Sequence, residues 1–265
     1  MVPEVGQGQD RKVDASKQAM ARVALEMASR RPEVVFVISP HGQVHGSAMG
    51  IFEGEALWGT LSMWGAGGTD MEFKGDPEAA ALLKEEAAKA GAPVQALGGK
   101  GYELDHGVMV PLYFLRKAIG SAALVPLSFS ALPLETHIAF GEAIRKAADR
   151  LEKRVALIAS GDLSHRLTPD APYGYEPLGK VFDQKVVEAL RKVDAKALLD
   201  LDPEMVEKVG ECGLRSITIL MGALQGLQVE ANVLSYEGPF GVGYPVASFG
   251  IVEGARPSTG SGRTE

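Results

Sequence analysis

VALIASGDLSHRLTPDAPYGYEP, residues 155–177, is the stretch on which the fold of this 265-residue chain turns. It opens with an apolar, partly β-branched run, 155–159, the pattern of a strand covered on both faces. The run stops at Ser160-Gly161-Asp162, and His165 follows before a loop rich in Pro and Tyr. In open α/β sheets, side chains just past the C-terminal ends of buried strands converge on the crevice above the sheet. A histidine there suits catalysis, and it equally suits a loop residue that caps a turn. The stretch by itself admits both.

Outward from it, VVFVIS at 34–39 reads as another buried strand, ending at Pro40-His41-Gly42, and 122–127 as a third. A short strand is expected at 94–97 and an edge strand within 49–60. Helical patterns occupy 10–31, 77–90, 133–152, 176–193, about 195–201, 203–209 and 214–224. Residues 98–107 read as a loop into a helix that starts near Val110-Pro111, where proline suits a first turn. Two last strands, 229–236 and 244–252, flank a turn. Strands alternating with helices predict a layered α/β fold. Its central sheet is expected to combine 34–39, 122–127, 155–159, 229–236 and 244–252, in a single domain over 1–253. The Gly/Ser/Pro-rich end, 254–265, is expected to be a disordered tail.

Composition narrows the chemistry. With 46% hydrophobic and 23% charged residues the chain can bury a sizeable core. No apolar run reaches the roughly 18 residues of a membrane span, and the polar start MVPEVGQGQDRK is no signal peptide, so the cytoplasm is the expected location. A net charge of −7 without a dense Lys/Arg run argues against nucleic acid and for small molecules or proteins as partners. One cysteine, Cys212, excludes an internal disulfide and a Cys-rich zinc site, which leaves His and carboxylate for any metal.

The five histidines are His41, His45, His106, His137 and His165. His41, His106 and His165 each stand close to a strand or helix end beside glycine, in SPHG, DHG and SGDLSH, and Glu237 shares that setting in SYEGPFGVG. Two imidazoles and a carboxylate on one face of an ion form the triad of non-haem Fe(II) oxygenases, and further histidines can move protons near neutral pH. Against this, His41 and His106 can each be plain turn or helix-start residues, and His45 a surface or packing residue. His137 lies on the apolar stripe Leu134, Gly141, Ile144, Ala148, Leu151 and is expected to face the core. Cys212 stands near a helix start, where a thiolate is stabilised, although a small buried residue is the simpler role. No G-x-S-x-G elbow, Walker A spacing or dinucleotide fingerprint is present.

The strings VISPHG, LDHGVMVPLYFL, IASGDLSHRLTPDAP, GECGLRSITILMGAL and LSYEGPFGVGYPVA occur in order along nearly the whole chain. Together they resemble the class III extradiol ring-cleavage dioxygenase superfamily (LigB-like, with Memo as a relative), in its AmmeMemoRadiSam branch. The resemblance implies a three-layer α/β/α sandwich with a central mixed sheet. It implies non-haem Fe(II) held by two histidines and a glutamate, of which His41 and Glu237 are the matching residues here. His106 then matches the substrate-side histidine and His165 the acid/base that deprotonates a catechol-type hydroxyl. The implied substrate is a small aromatic compound, with self-association of the chain as a further expectation. The alternative implied function is a Memo-like accessory or binding protein beside a radical-SAM partner, and metal-dependent hydrolysis in the same pocket is a third.

In that superfamily the remaining histidine ligand precedes a segment like VPEVGQG, which here directly follows Met1. The ligand and its strand are therefore expected to be missing, with Fe(II) held weakly unless His45 substitutes. Residues 34–39 are expected to lack one neighbouring strand, and a version extended upstream by a histidine-bearing strand to bind iron better and melt higher.

Overall fold

The computed structural model describes residues 1–98 and 102–252. Part of the expected 98–107 loop and the whole expected tail, 254–265, lie outside the described residues.

The core strand is β1 (Val34–Ser39), buried at every position. Its pleat sends Val34, Phe36 and Ile38 to one face and Val35 and Val37 to the other, which is why the sequence reads as continuously apolar. β2 (Met49–Phe52), β5 (Val94–Leu97), β7 (Ala123–Ser128) and β8 (Val155–Ala159) complete a five-stranded sheet in the order β5-β2-β7-β1-β8. β7, β1 and β8 run parallel, whereas β2 is antiparallel to β7, so the sheet is mixed as expected. One face is covered by α3 (Pro77–Lys89) and α5 (Leu134–Arg150), the other by α2 (Asp14–Arg30) and α4 (His106–Ile119). The result is the three-layer α/β/α sandwich.

Three expectations about the sheet need correction. β1 is not short of a neighbour: β7 pairs along one side and β8 along the other, so β8 is the outer strand. The segment 49–60 is not one edge strand. β2 is interior and fully buried, and β3 (Ala56–Gly59) joins β4 (Met71–Lys74) and β6 (Glu103–Leu104) in a separate small sheet. The final strands, β9 (Val229–Glu237) and β10 (Tyr244–Ile251), pair only with each other among the described residues. Their apolar side chains Val229, Val233 and Phe249 pack on the cluster built by α6 (Leu178–Lys192), α7 (Ala195–Leu199), α8 (Pro203–Val209) and α9 (Leu214–Leu224), which explains strand-like patterning outside the central sheet. A short helix α1 (Pro3–Gly6) and a 3-10 turn at Gln9–Val13 precede α2.

α4 begins four residues before the expected start. Asp105 caps it by accepting the Gly107 N–H at 2.8 Å, and Pro111 falls inside the helix. His106 is thereby the first residue of α4. No helix among the described residues is long and apolar enough to cross a membrane.

Candidate metal centre

Because β7, β1 and β8 are parallel, the loops after their last residues open at one edge of the sheet. His41 follows β1, and the Ser160–His165 segment follows β8. Ser160 donates its N–H to Ile38 O at 3.0 Å, keeping the two loops side by side.

Ser39 at the end of β1 links this edge to α4. Its hydroxyl donates to Asp105 Oδ1 and accepts the His41 N–H at 3.1 Å. A Cβ at position 107 would lie 2.3 Å from Ser39 Oγ, so the glycine of DHG permits the approach. His106 consequently stacks on His41, ring centroids 4.0 Å apart and planes 23° from parallel. The Trp64 indole lies 5.1 Å beyond it. Burial lowers the basicity of His41, with His106 adding to the effect, and burial likewise lowers that of His106. Both imidazoles are thus biased toward the neutral form that binds metals or accepts protons.

Asp162, His165 and Cys212 each offer one ligand atom, all within 4.8 Å of one another. Cys212 precedes α9. It is tied to the His165 loop by the Asp162 N–H, which donates to Sγ at 3.1 Å, and by its own N–H, which donates to Asp162 O at 3.2 Å. Gly161, at φ 151°, and Gly213 make this crossing: a Cβ on Gly161 would lie 2.4 Å from the Gly213 Cα. The thiol also stands 3.9 Å from His41 Nε2. Burial, then the Asp162 charge, pushes the thiol up to about 12, and burial raises the Asp162 carboxyl as well. His165 Nε2 lies 3.9 Å from Asp162 Oδ2, while its Nδ1 is buried with no hydrogen-bond partner among the described residues.

This donor set fits a transition metal. Two ligand atoms on one ion, each bonded at about 2.0–2.3 Å, stand roughly 3–4 Å apart, the spacing of Cys212 Sγ and His41 Nε2. Imidazole, thiolate and carboxylate suit Fe, Zn or Cu better than Mg or Ca. An ion would also favour the ionised forms of a carboxyl and a thiol whose acidity burial weakens.

The structure brings His41, His106 and His165 together, as their glycine-flanked settings suggested. Glu237 closes β9, and its Oε1 accepts the Ser16 N–H at 2.7 Å, inside the first turn of α2. It satisfies a helix-end donor there and is not part of the three-residue group. His45 bridges to Ser130, and its buried Nε2 has no hydrogen-bond partner among the described residues. His137 is a core histidine: fully buried, with Nδ1 2.9 Å from Pro133 O and Nε2 3.4 Å from the Ser130 N–H it can accept. The sequence does not single out Asp162, and Cys212 is weighed there as a small buried residue and not as a ligand. Asp162 stands in the same GDLSH string as His165, whereas Cys212 is 50 residues further on and only the fold brings it back.

Comparison with known proteins agrees with this architecture. The chain is 35% identical over 253 residues to protein CA_C1420 of Clostridium acetobutylicum, covering 93% of this chain and 54% of that one. It is 29% identical to a 3,4-dihydroxyphenylacetate 2,3-dioxygenase of Escherichia coli, over 62% of each chain. It is also 29% identical to the MEMO1 family protein MK0963 of Methanopyrus kandleri, over 78% of this chain and 66% of that one. It thus spans between about half and two thirds of these relatives. The crystal structure of an uncharacterized Escherichia coli K12 protein, JW3007, shares the fold with a TM-score of 0.62 at 21% identity, over 86% of this chain and 91% of that one. A family model described as the catalytic LigB subunit of aromatic ring-opening dioxygenase matches residues 1–247, and with the strand-end histidines built on the same sandwich, the chain belongs to the LigB family.

Proposed function

We propose that this chain is a non-haem Fe(II)-dependent, extradiol-type ring-cleavage dioxygenase acting on a catechol-like aromatic. The observation that carries the proposal is the convergence of His41, His106 and His165 at the C-terminal edge of β1 and β8, within reach of Asp162 and Cys212. The similarity to a relative named for dioxygenation of a dihydroxy aromatic acid supports it.

Asp162 and Cys212 of the three-residue group, with His41 Nε2 3.9 Å from the thiol, would hold the ion, Asp162 supplying the carboxylate that was expected of Glu237. Bound iron supplies a Lewis acid for the catechol oxygens and a site for O2. His165, whose Nε2 lies 3.9 Å from Asp162 Oδ2, takes the substrate hydroxyl proton. His106, held against His41, presents a neutral imidazole to the substrate. The Trp64 indole lies against that ring, 5.1 Å away.

One observation favours a second function, a Memo-like accessory or binding protein working with a radical-SAM partner. A thiol beside His41 departs from the two-histidine, one-carboxylate set of Fe(II) oxygenases, and relatives in the MEMO1 family are similar over a comparable span. Oxygen uptake separates the two. Anaerobically Fe(II)-loaded protein, given air and 3,4-dihydroxyphenylacetate or catechol, is expected to consume one O2 per ring opened. Iron loading without uptake on any catechol, together with co-purification of a radical-SAM enzyme, overturns the dioxygenase and supports the second function.

A further inference from the structure

Asp183 lies on α6, outside the candidate metal group, and is completely buried. Its two oxygens serve two different segments. Oδ1 accepts the Ser164 N–H at 2.9 Å, and Oδ2 accepts the Tyr236 hydroxyl at 2.6 Å. Ser164 immediately precedes His165, and Tyr236 immediately precedes Glu237.

The two segments are also sewn together directly. Leu163 N–H donates to Gly243 O, and Gly243 N–H to Ser164 O, each at 2.9 Å. The His165 N–H donates to Val209 O at 3.1 Å, and so does the Ser164 hydroxyl at 3.2 Å. A Cβ at position 243 would lie 2.1 Å from Asp183 Oδ2, so the glycine lets the hairpin close onto the carboxylate. Burying a carboxylate carries a desolvation cost even when it is hydrogen-bonded, and burial pushes the Asp183 carboxyl up to about 6. An apolar residue would fill the volume without that cost. It would also leave the Ser164 N–H and the Tyr236 hydroxyl without their acceptor.

We propose that Asp183 is a positioning residue that ties the His165 loop to the Tyr236–Glu237 end of the hairpin, so that both segments keep their places as one unit. The proposal rests on the metal-centre function for its catalytic meaning, but its test needs no metal.

Cys212 is the sole cysteine and is bonded to Asp162, so its alkylation by iodoacetamide reports on the loop. The imidazole NMR signals of His165 report on its surroundings. In the full chain, Asp183→Ala is expected to speed alkylation about tenfold and to move the His165 signals, as two donors lose their acceptor. Asp183→Asn is expected to restore both toward wild type, because its carbonyl still accepts the Ser164 N–H and its amide can donate to the Tyr236 oxygen. Ile144→Ala, on the core face of α5, is expected to lower the melting temperature and change neither signal. Should Asp183→Ala not fold, Tyr236→Phe removes one arm and is expected to move both readouts less far. Wild-type alkylation and His165 signals in the folded Asp183→Ala or Tyr236→Phe variants overturn the proposal, and so do equal changes in Ile144→Ala. Absence of metal binding by the wild type would sink the metal-centre function and leave these results intact.

Discussion

A phenylalanine in place of His165 removes a proton acceptor whose ring is mostly buried beside Asp162 and Tyr173, and keeps the ring volume. His165→Phe is expected to retain the fold and most metal affinity while lowering turnover about 100-fold or more. His41→Ala is expected to abolish tight metal binding. Equal metal loss in both would make His165 a ligand. Gly107 gives a sharper stereochemical test. Alanine favours a helix by about 1 kcal/mol over glycine, but its Cβ would collide with Ser39 Oγ at 2.3 Å. Overpacking against a bonded side chain costs about 1–3 kcal/mol, so Gly107→Ala is expected to be destabilising in chemical denaturation and to weaken the His41–His106 stack. The histidines were legible because glycine and a strand end flank each of them. Cys212 was not, because a lone cysteine before a helix reads the same whether it packs or ligates.

At the scale of elements, α5 and α9 approach through glycine. A Cβ on Gly141 would stand 2.0 Å from Ile219 O and 2.7 Å from Ala223 N, and one on Gly222 would stand 2.2 Å from Ile138 O. These are backbone atoms that cannot swing aside. Gly141→Ala is therefore expected to lower the melting temperature by several degrees despite its better helix propensity. α6 offers a pH test through Asp183. Its folded-state pKa of about 6 lies above the ordinary 3.8, so the folded chain holds this proton more tightly than the unfolded chain. The stabilising contribution is fully present below about pH 4 and is lost as pH rises to about 6. Urea unfolding is expected to show wild type losing on the order of 2–3 kcal/mol relative to Asp183→Asn between pH 4 and 7. Parallel profiles would contradict the assigned burial. Continuous apolar runs revealed β1, β7 and β8 to within a residue. β4 alternates apolar and polar residues over only four positions and β6 has two, too short a pattern to stand out.

Across the whole molecule, what the sequence conveyed best was order. Apolar strands alternating with amphipathic helices fix an α/β sandwich, and parallel β7, β1 and β8 put their following loops at one edge. What it conveyed least was partnership between distant elements. The β9–β10 pair has the alternation of sheet strands yet rests on α6 and α9, and Glu237 at its end meets the first turn of α2, a contact 221 residues apart in sequence. Amphipathic patterning reports that a face is covered, and it is silent on which element covers it. The central claim, that this edge is a metal centre built on His41 and Cys212, is tested most directly by anaerobic equilibrium dialysis against Fe(II), with bound iron counted per chain. One Fe(II) per wild-type chain, lost in His41→Ala, weakened in Cys212→Ser and retained in His165→Phe, is the result expected. Iron binding that is unaffected by His41→Ala, or absent from the wild type, would contradict it.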